Sequence, residues 1–195
     1  MPEPTWELVE TEMPDLLPMQ GRSEGYHLSD IIKSICIERK IYDQSTSPCM
    51  AQMQLGCALE DAVIRRLVAQ SPDRYIVPGE ICKDGVYMTP DCFDLERPAV
   101  IECKLPFISA RHDIMSDKLW RYRAQVMGYC HGLEVATGEL HCAFVRGDYT
   151  DNVPVAWRVW RKEFSGRTLR ENWSFLMKHL EKMKKTKKTK RGEKE

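Results

Sequence analysis

The chain reads as an α/β fold, a central mixed β-sheet of about five strands flanked by helices. Two helical periodicities come first, then three strand-like runs, then a helix, two more strands and a closing helix. That order is not the regular strand–helix alternation of a wholly parallel sheet. With 195 residues, 43% of them hydrophobic, the chain is long enough for one well-filled core and short for two.

Residues 1–24 mix proline, glutamate and scattered apolar side chains and read as an N-terminal arm. Ser29 is placed to cap a helix over residues 30–38, where Ile31, Ile32, Ile35 and Cys36 keep helical spacing. The polar run from Asp43 to Pro48 is a loop. A stronger helix follows over 50–69, with Leu55, Leu59, Val63 and Leu67 on one ridge. Strands are expected over 75–82, 86–95 and 99–105. Asp117 is placed to cap a helix to Gly132 that turns Leu119, Tyr122, Val126 and Leu133 inward. Strands at 140–145 and 155–164 flank the turn at 147–152. A last amphipathic helix runs through Leu169, Trp173, Leu176 and Leu180.

The net charge is zero but unevenly spread. From Lys178 to Glu195 there are nine Lys or Arg against three Glu, so the other 177 residues carry an excess of six negative charges. The basic run is expected to form a disordered tail, residues 178–195, serving either solubility or non-specific attraction to phosphates. Eight cysteines without a C-x-x-C pair, with Cys36, Cys92, Cys103 and Cys142 in apolar runs, read as small buried hydrophobes. The acidic N-terminus has no basic-then-apolar leader, and no apolar stretch reaches the roughly 20 residues needed to span a bilayer. A soluble protein of the cytoplasm is expected, with no membrane partner.

The chemistry concentrates between Met88 and Lys104. Side chains alternate across a strand, so Glu102 and Lys104 emerge on one face and Ile101 and Cys103 on the other. An acid and a lysine on one strand, with Asp91 on the strand before it, suit metal-assisted phosphodiester hydrolysis. A two-residue loop at Arg97-Pro98 would set Asp91 opposite Lys104, on the shared face. A three-residue loop without a bulge would turn it away. Thr89-Pro90 has room to lie outside the ladder, because proline has no N–H to donate. Glu60, in Gly56-x3-Glu60, is by itself an ordinary solvated helix residue. A helical glycine costs about 1 kcal/mol, which implies another backbone close to Gly56. Arg121, Gln125 and Tyr129 share one helix face.

Taken in order, Gly56-x3-Glu60, Pro90-Asp91, Glu102-Cys103-Lys104 and Gln125-x3-Tyr129 resemble the motifs of the PD-(D/E)XK nuclease superfamily. The resemblance is to its RecB-like and phage lambda-type exonuclease branch and covers roughly residues 25 to 165. Glu60 stands where RecB-like members usually carry histidine, as in the lambda-type phage enzymes, and that favours a phage recombination or replication nuclease in a host cytoplasm.

The resemblance implies a restriction-endonuclease-like core over residues 25–177 and a Mg2+- or Mn2+-dependent deoxyribonuclease processing DNA ends. Asp91 and Glu102, with the Cys103 carbonyl and Glu60, would hold the metal. Lys104 would orient or deprotonate the attacking water, Gln125 would position Lys104 or that water, and Tyr129 would support the scissile strand. Some relatives carry an iron–sulfur cluster, but no cysteine follows Cys142, so none is expected. Arg111, Lys118, Arg121 and Arg123, with Trp120 stacking on a base, are expected on the DNA, although a plain charged helix face would look the same. DNA is the expected partner, with a single-strand annealing or recombination protein and homo-oligomerisation as further expectations. The same residues would also serve a structure-specific endonuclease or junction resolvase, or a DNA-binding subunit without turnover.

Overall fold

The computed structural model describes residues 22–41, 50–106, 108, 111–144 and 156–192. The loop at 43–48, the turn at 147–152 and residues 1–21 of the expected arm lie outside the described residues. Along the chain run β1 (Tyr26–His27), α1 (Leu28–Glu38), α2 (Met50–Gln70), β2 (Tyr75–Ile76), β3 (Ile81–Lys83) and β4 (Val86–Met88). They are followed by β5 (Cys92–Asp94), β6 (Ala99–Lys104), α3 (Asp117–Gly132), β7 (Thr137–Phe144), β8 (Ala156–Glu163) and α4 (Gly166–Gly192).

The main sheet has five strands in the order β2-β5-β6-β7-β8. Only β6 and β7 run parallel; the other neighbours are antiparallel. Strand β6 is central and buried from Ala99 to Cys103. That burial explains its apolar run, because helices cover both faces. Val100, Leu140, Cys142 and Phe144 pack with α1, α3 and α4 in the larger core, while Ile101, Cys103 and Cys92 meet Ile64 of α2. Gly138 lets α3 lie close on β7, since a Cβ there would come within 2.3 Å of Val126. A small second sheet, β1-β4-β3, adjoins α1.

Several boundaries differ from the sequence reading, each for a local reason. His27 is extended (φ −103°, ψ 144°) and paired with Tyr87, so α1 starts directly from a strand and Ser29 lies inside its first turn. Ser116, not Asp117, caps α3 by accepting the Lys118 N–H at 3.2 Å. The expected strand over 75–82 is two strands in different sheets, separated by Pro78 and by Gly79 at φ +76°. The run 86–95 is likewise split at Thr89-Pro90-Asp91 between β4 and β5. Helix α4 continues to Gly192, and Leu180 is buried in the core, so the boundary expected at residue 177 falls inside a helix. Its apolar spacing simply extends into the basic run.

The β5–β6 hairpin has neither of the loop lengths considered from sequence. Asp94 pairs with Ala99, Phe93 with Val100 and Cys92 with Ile101, leaving a four-residue loop from Leu95 to Pro98. Four preserves the parity of two, so continuing the register sets Asp91 across from Glu102 and on its face. Asp94 builds this turn. Its Oδ1 accepts the Glu96 and Arg97 N–H groups at 3.0 and 3.1 Å, and Arg74 clamps both oxygens at 3.0 and 2.7 Å.

Burial works against the Asp94 charge, but the Arg74 guanidinium and the turn N–H groups prevail and hold its carboxyl below the ordinary range. A depressed carboxylate stabilises the fold above the unfolded value, about pH 4, and loses that contribution as pH falls through the folded value. Asp94→Ala should therefore cost about 3 kcal/mol in urea unfolding at pH 7. Asp94→Asn should flatten the decline in stability below about pH 4 seen for the parent. An unchanged acid limb in Asp94→Asn would refute this role.

Candidate active site

At the C-terminal end of β6 the sequence places two polar residues on a buried strand. Glu102 is 0% exposed and faces α3, and its neighbour two residues on, Lys104, reaches back over the strand end. Pro90 precedes the point where β5 joins the sheet, so the β5–β6 ladder ends at Cys92–Ile101. Side chains then serve the backbone of Cys103. Asp91 Oδ2 accepts its N–H at 2.8 Å, and Lys104 Nζ donates to its carbonyl at 2.7 Å.

Helix α2 supplies the third acid. Ile64 anchors that helix on the sheet, and Glu60, one turn earlier on the same side, is carried over the end of β6. Its Oε1 lies 3.2 Å from Lys104 Nζ, with Asp91 Oδ2 at 3.6 Å and Glu102 Oε1 at 2.7 Å. The solvated-residue reading of Glu60 does not hold, since its side chain is only 24% exposed.

The ammonium is the focus of the cluster. Burial disfavours the charge on Lys104, but Glu102, Asp91 and Glu60 outweigh it and hold its pKa well above the ordinary value. Burial, with Asp91 adding to it, pushes Glu102 well up, and burial raises Glu60 against the pull of Lys104. Lys104 pairs with Glu102 as an ion, yet neither Glu102 oxygen takes part in a well-directed hydrogen bond, and both are buried. Among the described residues no three Asp, Glu, His or Cys side chains close on a common point by themselves; the three acids share the lysine.

Behind Glu102, on α3, Gln125 Nε2 donates to the Tyr129 hydroxyl at 2.7 Å. Tyr129 is 4% exposed, and burial together with Glu102 raises its pKa well above the ordinary value. Direct support of a DNA strand by Tyr129 does not fit that burial. From here it supports Gln125 and the wall behind Glu102.

The expected DNA-binding residues separate. Arg123 is turned to the Ile114 and Ser116 carbonyls and secures the loop before α3. Arg121 lies over Tyr122, and Trp120 sits edge-on to Phe175 beneath Arg39. Arg111 and Lys118 are exposed. Cys57 was not anticipated. It lies one turn before Glu60, solvent-accessible but with its thiol partly desolvated, and that desolvation and Glu60 raise its pKa while Lys104 opposes them. Its i−3 spacing from Glu60 was the available signal. Among the described residues nothing lies within 4 Å of where a Cβ on Gly56 would stand, so none of them makes the expected backbone approach.

The mixed sheet between helices that ends in this acid–lysine cluster is similar in fold to solved phage-related and alkaline exonucleases. The phage-related exonuclease from Haemophilus somnus 129PT superposes with a TM-score of 0.51 at 11% identity, over 82% of this chain and 82% of that one. The alkaline exonuclease LHK-Exo from Laribacter hongkongensis gives 0.51 at 16% identity, over 91% and 88%. Its complex with dAMP gives 0.52 at 16% identity, over 86% and 92%. No family model matches the chain, and no curated protein matches it in sequence.

Gly56→Ala should stabilise α2 by about 1 kcal/mol, because the helix gains propensity and no described residue opposes the methyl group. Urea unfolding of the two proteins checks this. A loss of stability would mean that the glycine has a packing role.

Proposed function

We propose that this chain is a divalent-metal-dependent DNA nuclease, most specifically a DNA-end-processing exonuclease of phage type. One observation carries the reading: acids from α2, from the entry to β5 and from β6 meet around Lys104, in the fold of exonucleases. A neighbour of that fold binds dAMP, which supports a nucleotide substrate here.

The donor set fits Mg2+ or Mn2+. It is all oxygen, and the buried Glu102 carboxylate has no well-directed hydrogen bond to lose. Asp91, Glu102 and the Cys103 carbonyl would hold the ion, with Glu60 directly or through water. Bound there, it supplies charge neutralisation at the phosphate and a more acidic water. The protein's own part is positional. Asp91 is fixed by the Cys103 N–H, Glu102 is fixed by a strand buried on both sides, and Glu60 by the Ile64 anchor. Lys104 holds the amine that orients the water or meets the developing phosphate charge. Gln125 and Tyr129 are positioning residues behind it. Arg111 and Lys118 are placed on the surface to follow a DNA backbone. Homo-oligomerisation and a single-strand annealing partner belong to the same reading.

End-labelled linear DNA and covalently closed circular DNA, incubated with Mg2+ and with EDTA, test it. Loss of the linear substrate alone, abolished by EDTA, is expected. Cleavage of the circle would favour a structure-specific endonuclease. Glu102→Gln should lower the rate by about 10^2- to 10^3-fold, the scale of losing a group that stabilises transition-state charge. Metal-independent binding without product would make the chain a DNA-binding subunit.

A further inference from the structure

The ammonium of Lys104 touches the same four groups that would hold the divalent ion: Glu60, Asp91 and Glu102 at 3.2, 3.6 and 2.7 Å, and the Cys103 carbonyl at 2.7 Å. We infer that Lys104 and the divalent ion compete for one position, so that Lys104 is an exchangeable internal counter-ion which must swing out for the metal to enter. The inference rests on the metal-dependent reading above.

The argument is steric and electrostatic. Mg2+ takes oxygen ligands, and the oxygens that would hold it are those Nζ now contacts, so the two cations would draw on the same groups. Two cations cannot both be held at close range by the same oxygens. The fixed parts of the site favour exchange over collapse. Cys103 belongs to a strand paired on its other side with β7, so its carbonyl keeps its place whichever cation it meets. Asp91 is tethered by the Cys103 N–H. The flexible member is Lys104, whose four-carbon stem lets Nζ leave while its backbone stays in the ladder. Its side chain is already 15% exposed, which leaves a path to solvent and to an incoming phosphate. The exchange would also bring the amine out of the ion-holding position to where it can act on substrate.

The test is Mn2+ binding without DNA, by isothermal titration, for the parent, Lys104→Met and Glu102→Gln. If the outward position is populated about one time in ten in the parent, Lys104→Met should bind about tenfold tighter. Glu102→Gln should lose binding. Equal or weaker binding by Lys104→Met, with the parent still binding and cleaving, overturns the exchange and leaves the nuclease reading standing. No binding by parent or variants overturns both. A second measurement covers a variant that fails to fold. In the parent, acylation of Lys104 by an amine-reactive reagent, read by mass spectrometry, should accelerate on adding Mn2+. An unchanged rate in protein that binds Mn2+ overturns the exchange.

Discussion

The architecture at the end of β6 follows from one constraint. Acids and a lysine largely withdrawn from water are tolerable together and costly apart. Glu102 has no access to water, and Glu102, Asp91 and Glu60 outweigh burial to raise the pKa of Lys104. Helix α2 therefore cannot sit anywhere along the sheet. It must carry Glu60 over the strand end, and Ile64 fixes that height. Removing one partner would strand the others, which makes this polar cluster as binding a specification of the fold as the apolar core beneath it.

A single proline does much to create the opening. Because the chain enters β5 only after Pro90, the ladder stops short of Cys103 and leaves its N–H and carbonyl to side chains. Regular pairing continued by two more residues would have consumed both groups and closed the site. The turn held by Asp94 then decides which face Asp91 takes. Local backbone chemistry at two places, a turn and a strand entry, thus sets the relation of acids that are far apart in sequence.

Strand alternation was enough to put Glu102 and Lys104 together, and helical spacing was enough for Gln125 and Tyr129, because both are periodic properties of one element. Glu60 was different. Nothing in its own segment distinguished it from a solvated acid, and only the order of motifs singled it out. The four-residue loop was not readable, since Asp94 acts through Arg74, twenty positions away. The contacts of Arg123 were unreadable for a related reason. An arginine beside a loop reads as a free cation until the loop's carbonyls are placed in space. The division of residues 75–95 between two sheets was marked by Pro78, Gly79 and Pro90, but which pieces pair is a tertiary matter.

Helix α4 changes how the basic end of the chain should be regarded. Leu180 belongs to the core and His179 meets Ser34 at 2.9 Å, so the first turns of the lysine-rich run are clamped to the body. At about 1.5 Å per residue, the helix from 178 to 192 extends roughly 21 Å as a rod and not as a loose thread. Trimming the chain before Leu180 would therefore unseat a core residue along with the charge.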